Sequence, residues 1–227
     1  MLTDPSLAWR LAEIARELAT QSSRELTLQM VVDRAVETIP GCEFAGVSVR
    51  RGRGVVETLA ATDPLVKIVD SLQYELREGP GLSAIWVDET YVISDMTTEA
   101  RWPRWATRAS RLGIRSVLSL RLATPADVIG GLNLYSSQLN SYTENSVDVA
   151  HMYALHAATA LEVSSEVDGL RSALQSRHTI GIAQGILMKR YNLDVDGSFA
   201  LLKRLSQDEN RKLRDVAAQI VHNVQTL

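Results

Sequence analysis

The chain has 227 residues, 45% of them hydrophobic, and a net charge of −3. That length suits one larger domain with a smaller one, and the apolar share is enough for a packed core. No run of about 18 apolar residues is present, so no membrane span is expected, and the single cysteine, Cys42, leaves no intramolecular disulfide and suits a reducing, cytoplasmic location.

The N-terminal stretch MLTDPSLAWRLAEIARELA is amphipathic and carries acids, without the basic region and apolar block of a secretory signal. Leu7 to Thr38 reads as helix in two pieces. Leu7, Leu11, Ile14, Ala15 and Leu18 recur at helical spacing, and Leu26, Met30, Val31, Arg34 and Ala35 follow after the break QSSRE. Pro40-Gly41 stops the second piece. The period then drops to two. Phe44–Val49 and Val55–Ala61 read as a hairpin turned at Arg51–Gly54. Asp63-Pro64 opens a short helix through Val66, Val69 and Leu72, and Gly79-Pro80-Gly81 reads as a tight loop before a helical Leu82–Val87. Tyr91–Ile93 is an apolar strand ending near Asp95, Trp105–Leu112 is a helix stopped by Gly113, and Ser116–Leu122 and Val128–Tyr135 are strands joined by the turn at Thr124–Asp127. About five strands with helices before, between and after them predict an α+β domain with an antiparallel sheet.

From Val147 to Leu174 the pattern becomes a stripe: Val149, Tyr153, His156, Ala160, Val163, Val167, Leu170 and Leu174 alternate in steps of four and three. That spacing predicts a parallel two-stranded coiled coil, hence a homodimer, and Gly169 within it costs about 1 kcal/mol relative to alanine. Three short helices follow. The first carries Ile180, Ala183, Ile186 and Leu187; the second, capped by Asp194 after Asn192, carries Phe199, Leu202 and Leu205; the third, capped by Asn210 or Asp208, carries Leu213, Val216, Ala217, Ile220 and Val221. Charge is uneven: eight basic residues face five acidic ones from Ser176 onward, against 16 basic and 22 acidic before it. A basic end on an acidic body suits a polyanionic partner, although helical domains that bind no nucleic acid carry similar excesses.

Two family resemblances attach to these residues. The run LREGPGLSAIWVDETYVISDMTTEARWPRWATRASRLGIRSVLSLRL, followed by IGGLNLYS, resembles a GAF domain over roughly residues 8 to 160. The resemblance implies a sensor module with room for an unidentified small-molecule ligand. Tyr74, Trp86, Trp102 and Trp105 are the candidate ligand-lining residues, and all four also suit core or lid packing. Some GAF domains attach a tetrapyrrole through a cysteine; Cys42 sits at a strand entry, away from Gly79–Trp86, which argues against it. His151 and His156 lie on a helix without a supporting motif and read as interfacial or solvated rather than as haem ligands. No metal site and no cofactor is expected.

AQGILMKRYNLDVDGSFALLKRLSQDENRKLRDVAAQIV resembles an ANTAR domain, the output module of AmiR/NasR transcription antitermination regulators. The matching pieces lie without gaps at Ala183–Met188, Phe199–Leu202, Ser206–Asn210 and Lys212–Ala217. The family implies a dimer that binds paired stem-loops in nascent messenger RNA. Candidate RNA-binding residues are Gly185, for close backbone approach, with Lys189, Arg190, Asn210, Arg211, Lys212 and Arg214, whose helix ends are expected to converge on one surface. The alternative is a DNA-binding transcription factor using the same bundle in the manner of a helix-turn-helix. No nucleophile–base pair, metal-ligand spacing or phosphate-binding glycine loop is evident, so no enzyme is expected. No alternating β/α pattern of a receiver domain is evident either. The expected organisation is a GAF-like sensor at 1–146, a coiled-coil linker helix at 147–175 and a three-helix ANTAR bundle at 176–227.

Overall fold

A computed structural model describes residues 5–51, 54–87 and 90–225; part of the turn expected at Arg51–Gly54 lies outside them. Its elements are α1 (Pro5–Ala19), α2 (Arg24–Thr38), β1 (Phe44–Arg51), β2 (Val55–Ala61), α3 (Pro64–Leu76), α4 (Pro80–Val87), β3 (Tyr91–Ile93), α5 (Pro103–Arg111), β4 (Ser116–Ala123), β5 (Val128–Ser136), α6 (Glu144–Tyr191), α7 (Val195–Asp208) and α8 (Leu213–Gln225). The chain divides into two compact units, Met1–Glu166 and Val167–Leu227.

The first unit is built on one antiparallel sheet of order β2-β1-β5-β4-β3. Strand alternation sets its two faces. In β5, Leu132 and Leu134 join a core with Leu18, Leu28, Val31, Tyr153 and Leu161 from α1, α2 and α6. Tyr135, one residue on, joins the other core with Val66, Val69, Trp105 and Met96. The sheet therefore lies between α1, α2 and the start of α6 on one side and α3 and α5 on the other. Tyr153 strengthens the first face: its hydroxyl donates to the Val31 carbonyl at 2.6 Å, joining α6 to α2.

Local sequence fixes where helices begin. Ser23 accepts from the Leu26 amide, and Asp63 accepts from the Leu65 amide just ahead of Pro64. The expected loop at Gly79–Gly81 is shorter than the pattern suggested, because Pro80 opens α4 itself, as proline does where an amide would have no helical partner. Ends are equally marked. Arg77, Asn192 and Asn210 are left-handed (φ 54°, 52° and 50°), and the amides of Glu78, Leu193 and Arg211 reach back to the carbonyls of Gln73, Met188 and Ser206.

The stripe expected to form a coiled coil from Val147 divides. Its first part, Val149, Tyr153 and Ala160, is buried in the sheet-domain core, so there it serves intramolecular packing. From Val163 it is exposed, and Leu170 and Leu174 are 67% and 66% accessible. In the second unit, Ala183, Leu187, Leu202, Val216 and Ala217 form a small core between the end of α6, α7 and α8. Phe199, expected in the buried stripe of α7, is 43% accessible, and Ser198 takes the buried position beside it. Asp194 caps α7 as expected, accepting from the Gly197 amide at 2.7 Å.

Candidate nucleic-acid interface and sensor interior

In the second unit the basic residues expected to contact RNA fall into two groups. Lys189 and Arg190 close α6, immediately before the turn into α7. Arg211 and Lys212 sit in the turn after α7, and α8 begins only at Leu213, so they precede the third helix instead of opening it. The 14-residue α7 lies between the groups, which separates them by about 21 Å along its axis. The convergence expected of these helix ends is not what the structure shows.

The two groups also differ in chemistry. Arg211 is bound internally: it pairs with Glu209 at 2.8 Å and donates to Gln219. Arg214 pairs with Asp215 at 3.3 Å. Asn210 is the left-handed residue that ends α7, a local structural duty. Among the described residues, Lys189, Arg190 and Lys212 make no ion pair. Gly185 is exposed, with open space where a Cβ would stand.

Arg190 also borders a groove of about 550 Å³, lined by Leu187, Tyr191, Leu201, Leu205, Ile220 and Asn223 among others. The Arg190 guanidinium lies 6.0 Å from the Tyr191 ring centroid. Sequence reading placed Leu187, Leu205 and Ile220 on the apolar faces of the three helices and did not mark Leu201. It missed the groove because helical periodicity assigns faces but does not say how fully three short helices close over them.

In the sheet domain the four candidate ligand-lining residues separate. Trp105 is fully buried, and its indole N–H donates to the Val69 carbonyl at 3.1 Å. Trp102 is buried edge-on to Tyr91, with the Arg101 guanidinium 4.7 Å from its ring centroid. These two are packing residues. Tyr74 and Trp86 instead line one cleft of about 630 Å³, together with Val55, Arg77, Leu82 and Val87.

Behind Tyr74 the space between sheet and α3 is filled by a polar cluster that sequence reading did not identify. Asp70 is fully buried and accepts from Thr58 (2.7 Å), Asn133 (3.0 Å), Gln73 (3.3 Å) and the Tyr135 hydroxyl. Tyr74 bonds both Ser48 and Thr58, at 2.6 and 2.7 Å. The Gln73 side chain accepts from the Gly81 amide at 2.9 Å. Gly81 is required here, since a Cβ would lie 2.4 Å from the Asn133 side chain. Burial without a cation pushes the Asp70 carboxyl up to about 6, and its four donors hold it from rising further. The available signal was Asp70 itself, an acid set among Val66, Val69 and Gln73 on the buried face of α3. Cys42 is likewise buried, donates to the Phe44 carbonyl and is pushed up to about 12 by burial, which marks it as a packed thiol and not a reactive one.

Comparison with known proteins agrees with both units. The GAF domain family matches residues 21–162, and the ANTAR domain family matches residues 168–221. Among solved structures, the chain is similar to the GAF domain of an Acinetobacter phosphoenolpyruvate-protein phosphotransferase, at 13% identity and a TM-score of 0.57 over 74% of this chain and 99% of that one. It is also similar to free methionine-R-sulfoxide reductase from Neisseria meningitidis in complex with its substrate, at 17% identity and a TM-score of 0.56 over 74% and 96%. A bacteriophytochrome from R. palustris aligns at 11% identity and a TM-score of 0.63 over 88% of this chain and 47% of its own length, so the chain spans about half of it. At such identities the likeness shows the fold alone. No curated protein matches the chain. The chain belongs to the GAF domain family, and an ANTAR domain follows its GAF domain.

Proposed function

We propose that this protein is a signal-responsive, cytoplasmic transcription antitermination regulator that binds paired stem-loops in nascent messenger RNA through its ANTAR domain. The ANTAR match over residues 168–221 carries the reading. Supporting it are the positive balance of the C-terminal segment and, among the described residues, the unpaired cations Lys189, Arg190 and Lys212 on the second unit. RNA loops expose phosphates and unstacked bases that such a surface recognises.

The GAF domain is the sensor in this scheme. The cleft beside Tyr74 and Trp86 is where a small molecule acts, and no chemical step is assigned to it. The protein works as a homodimer, joined where Val163, Val167, Leu170 and Leu174 leave an apolar stripe on α6 exposed at heptad spacing. Crosslinking and sequencing of RNA bound to the protein in cells tests the function. Leader RNAs with paired hairpins are expected. Tighter binding to a palindromic DNA duplex than to hairpin RNA, measured in direct competition, would assign the bundle to DNA and overturn it.

A further inference from the structure

The two basic ends of the second unit are not equivalent, and the difference points to how an RNA loop is held. At the α7–α8 turn, Arg211 and Arg214 are paired with Glu209 and Asp215 within the chain. At the end of α6, Lys189 and Arg190 are unpaired among the described residues. The groove described above, about 550 Å³, adjoins this second end. It has an apolar floor that includes Leu187, Leu201 and Ile220, and Arg190 is the one charged side chain among the described residues of its lining. Its size lies within the range of small-ligand pockets, about 300–1,000 Å³.

We infer that this groove receives one unstacked nucleobase of the bound RNA, with Lys189 and Arg190 on the adjoining phosphates. The inference rests on the RNA-binding reading and names the site that reads a base. Each lining chemistry has a use. The Tyr191 ring offers a stacking surface, the Arg190 guanidinium beside it offers stacking or a phosphate partner, and the apolar floor excludes water. The Asn223 side chain supplies both a donor and an acceptor to the edge of a base. Among the described lining residues, no acidic side chain opposes the polyanion.

The test uses the full chain and two short strands of equal length and charge, an oligoadenylate and an abasic ribose-phosphate strand, with binding read by fluorescence anisotropy. The oligoadenylate is expected to bind about tenfold or more tightly, since it alone offers bases to stack. Tyr191→Ala and Asn223→Ala are expected to weaken the oligoadenylate alone and so to close that gap. Lys189→Ala is expected to weaken both strands equally. Circular dichroism of each variant confirms that the bundle is retained; Tyr191 is largely exposed, so its truncation leaves the core intact. Equal affinity for the two strands, or an oligoadenylate affinity indifferent to Tyr191→Ala, would overturn the inference. These outcomes are independent of the cellular crosslinking. Stem-loop RNA recovered there, together with indifference to Tyr191, would sink the groove and leave the RNA reading standing.

Discussion

Asp70 shows how much one residue can set. Its carboxyl ordinarily titrates at 3.8 and stands at about 6 in the folded protein. The folded state therefore keeps a proton that the unfolded chain has released. Stability from this group is complete below pH 3.8 and falls as pH rises to about 6, by about 3 kcal/mol in all. Asp70→Asn should flatten that decline. The amide oxygen can take the place that accepts from Gln73, Asn133 and Tyr135, and the amide nitrogen can donate to Thr58, whose hydroxyl then turns to Tyr74. Urea unfolding measured from pH 4 to pH 7 checks this; an unchanged slope in the variant would assign the pH dependence elsewhere. A period-3.6 pattern marks only Asp70, on the buried face of α3, and not the partners it meets. The members of the cluster come from β1, β2, α3 and β5 and meet only through the sheet pairing.

At the scale of elements, the sequence was read best where periodicity is strong and caps are local. β2, β3 and the Asp194 cap follow the expectation, since alternation and capping act over a few residues. The stripe on α6 was read correctly as apolar and only partly as to what covers it. A helix stripe records that a face is hidden, not whether sheet or partner hides it. The accessible portion gives a direct test. Leu170→Asp with Leu174→Asp places charge on a seam that a dimer would bury, at several kcal/mol, while the side chains already sit in solvent in the single chain. Sedimentation should show the wild type as a dimer and the double variant as a monomer with unchanged helix content. A monomeric wild type at micromolar concentration would remove the coiled coil.

At the scale of the whole molecule, charge is distributed by engagement as well as by number. Counting residues from Ser176 gives a modest positive balance; pairing with Glu209 and Asp215 leaves that balance unchanged but engages Arg211 and Arg214 within the chain. That is why the sequence grouped Arg211 and Arg214 with Lys189 and Arg190 on one expected surface: ion pairs across a turn are set by side-chain geometry that spacing does not show. Lys189→Ala with Arg190→Ala should lower the slope of log affinity for hairpin RNA against log salt by about 0.7 for each phosphate no longer neutralised. Arg211→Ala with Arg214→Ala should lower it less, because those guanidinium groups are already neutralised within the chain. The reverse order, seen in binding titrations across salt, would move the RNA surface to the α7–α8 turn.

Helix α6 has a further consequence in time. It gives Leu161 to one core and Ala183 to another, yet no residue between them is buried. Two glycines, at 169 and 181, lie in that interval with nothing near the position of a Cβ. Amides in that interval can open without unfolding either core. In a hydrogen-exchange experiment on dilute protein they should exchange rapidly between two slow flanks, and they should slow as concentration rises. The central turns of one helix would then work as a built-in gauge of self-association, read in minutes on the native protein with solvent deuterium alone.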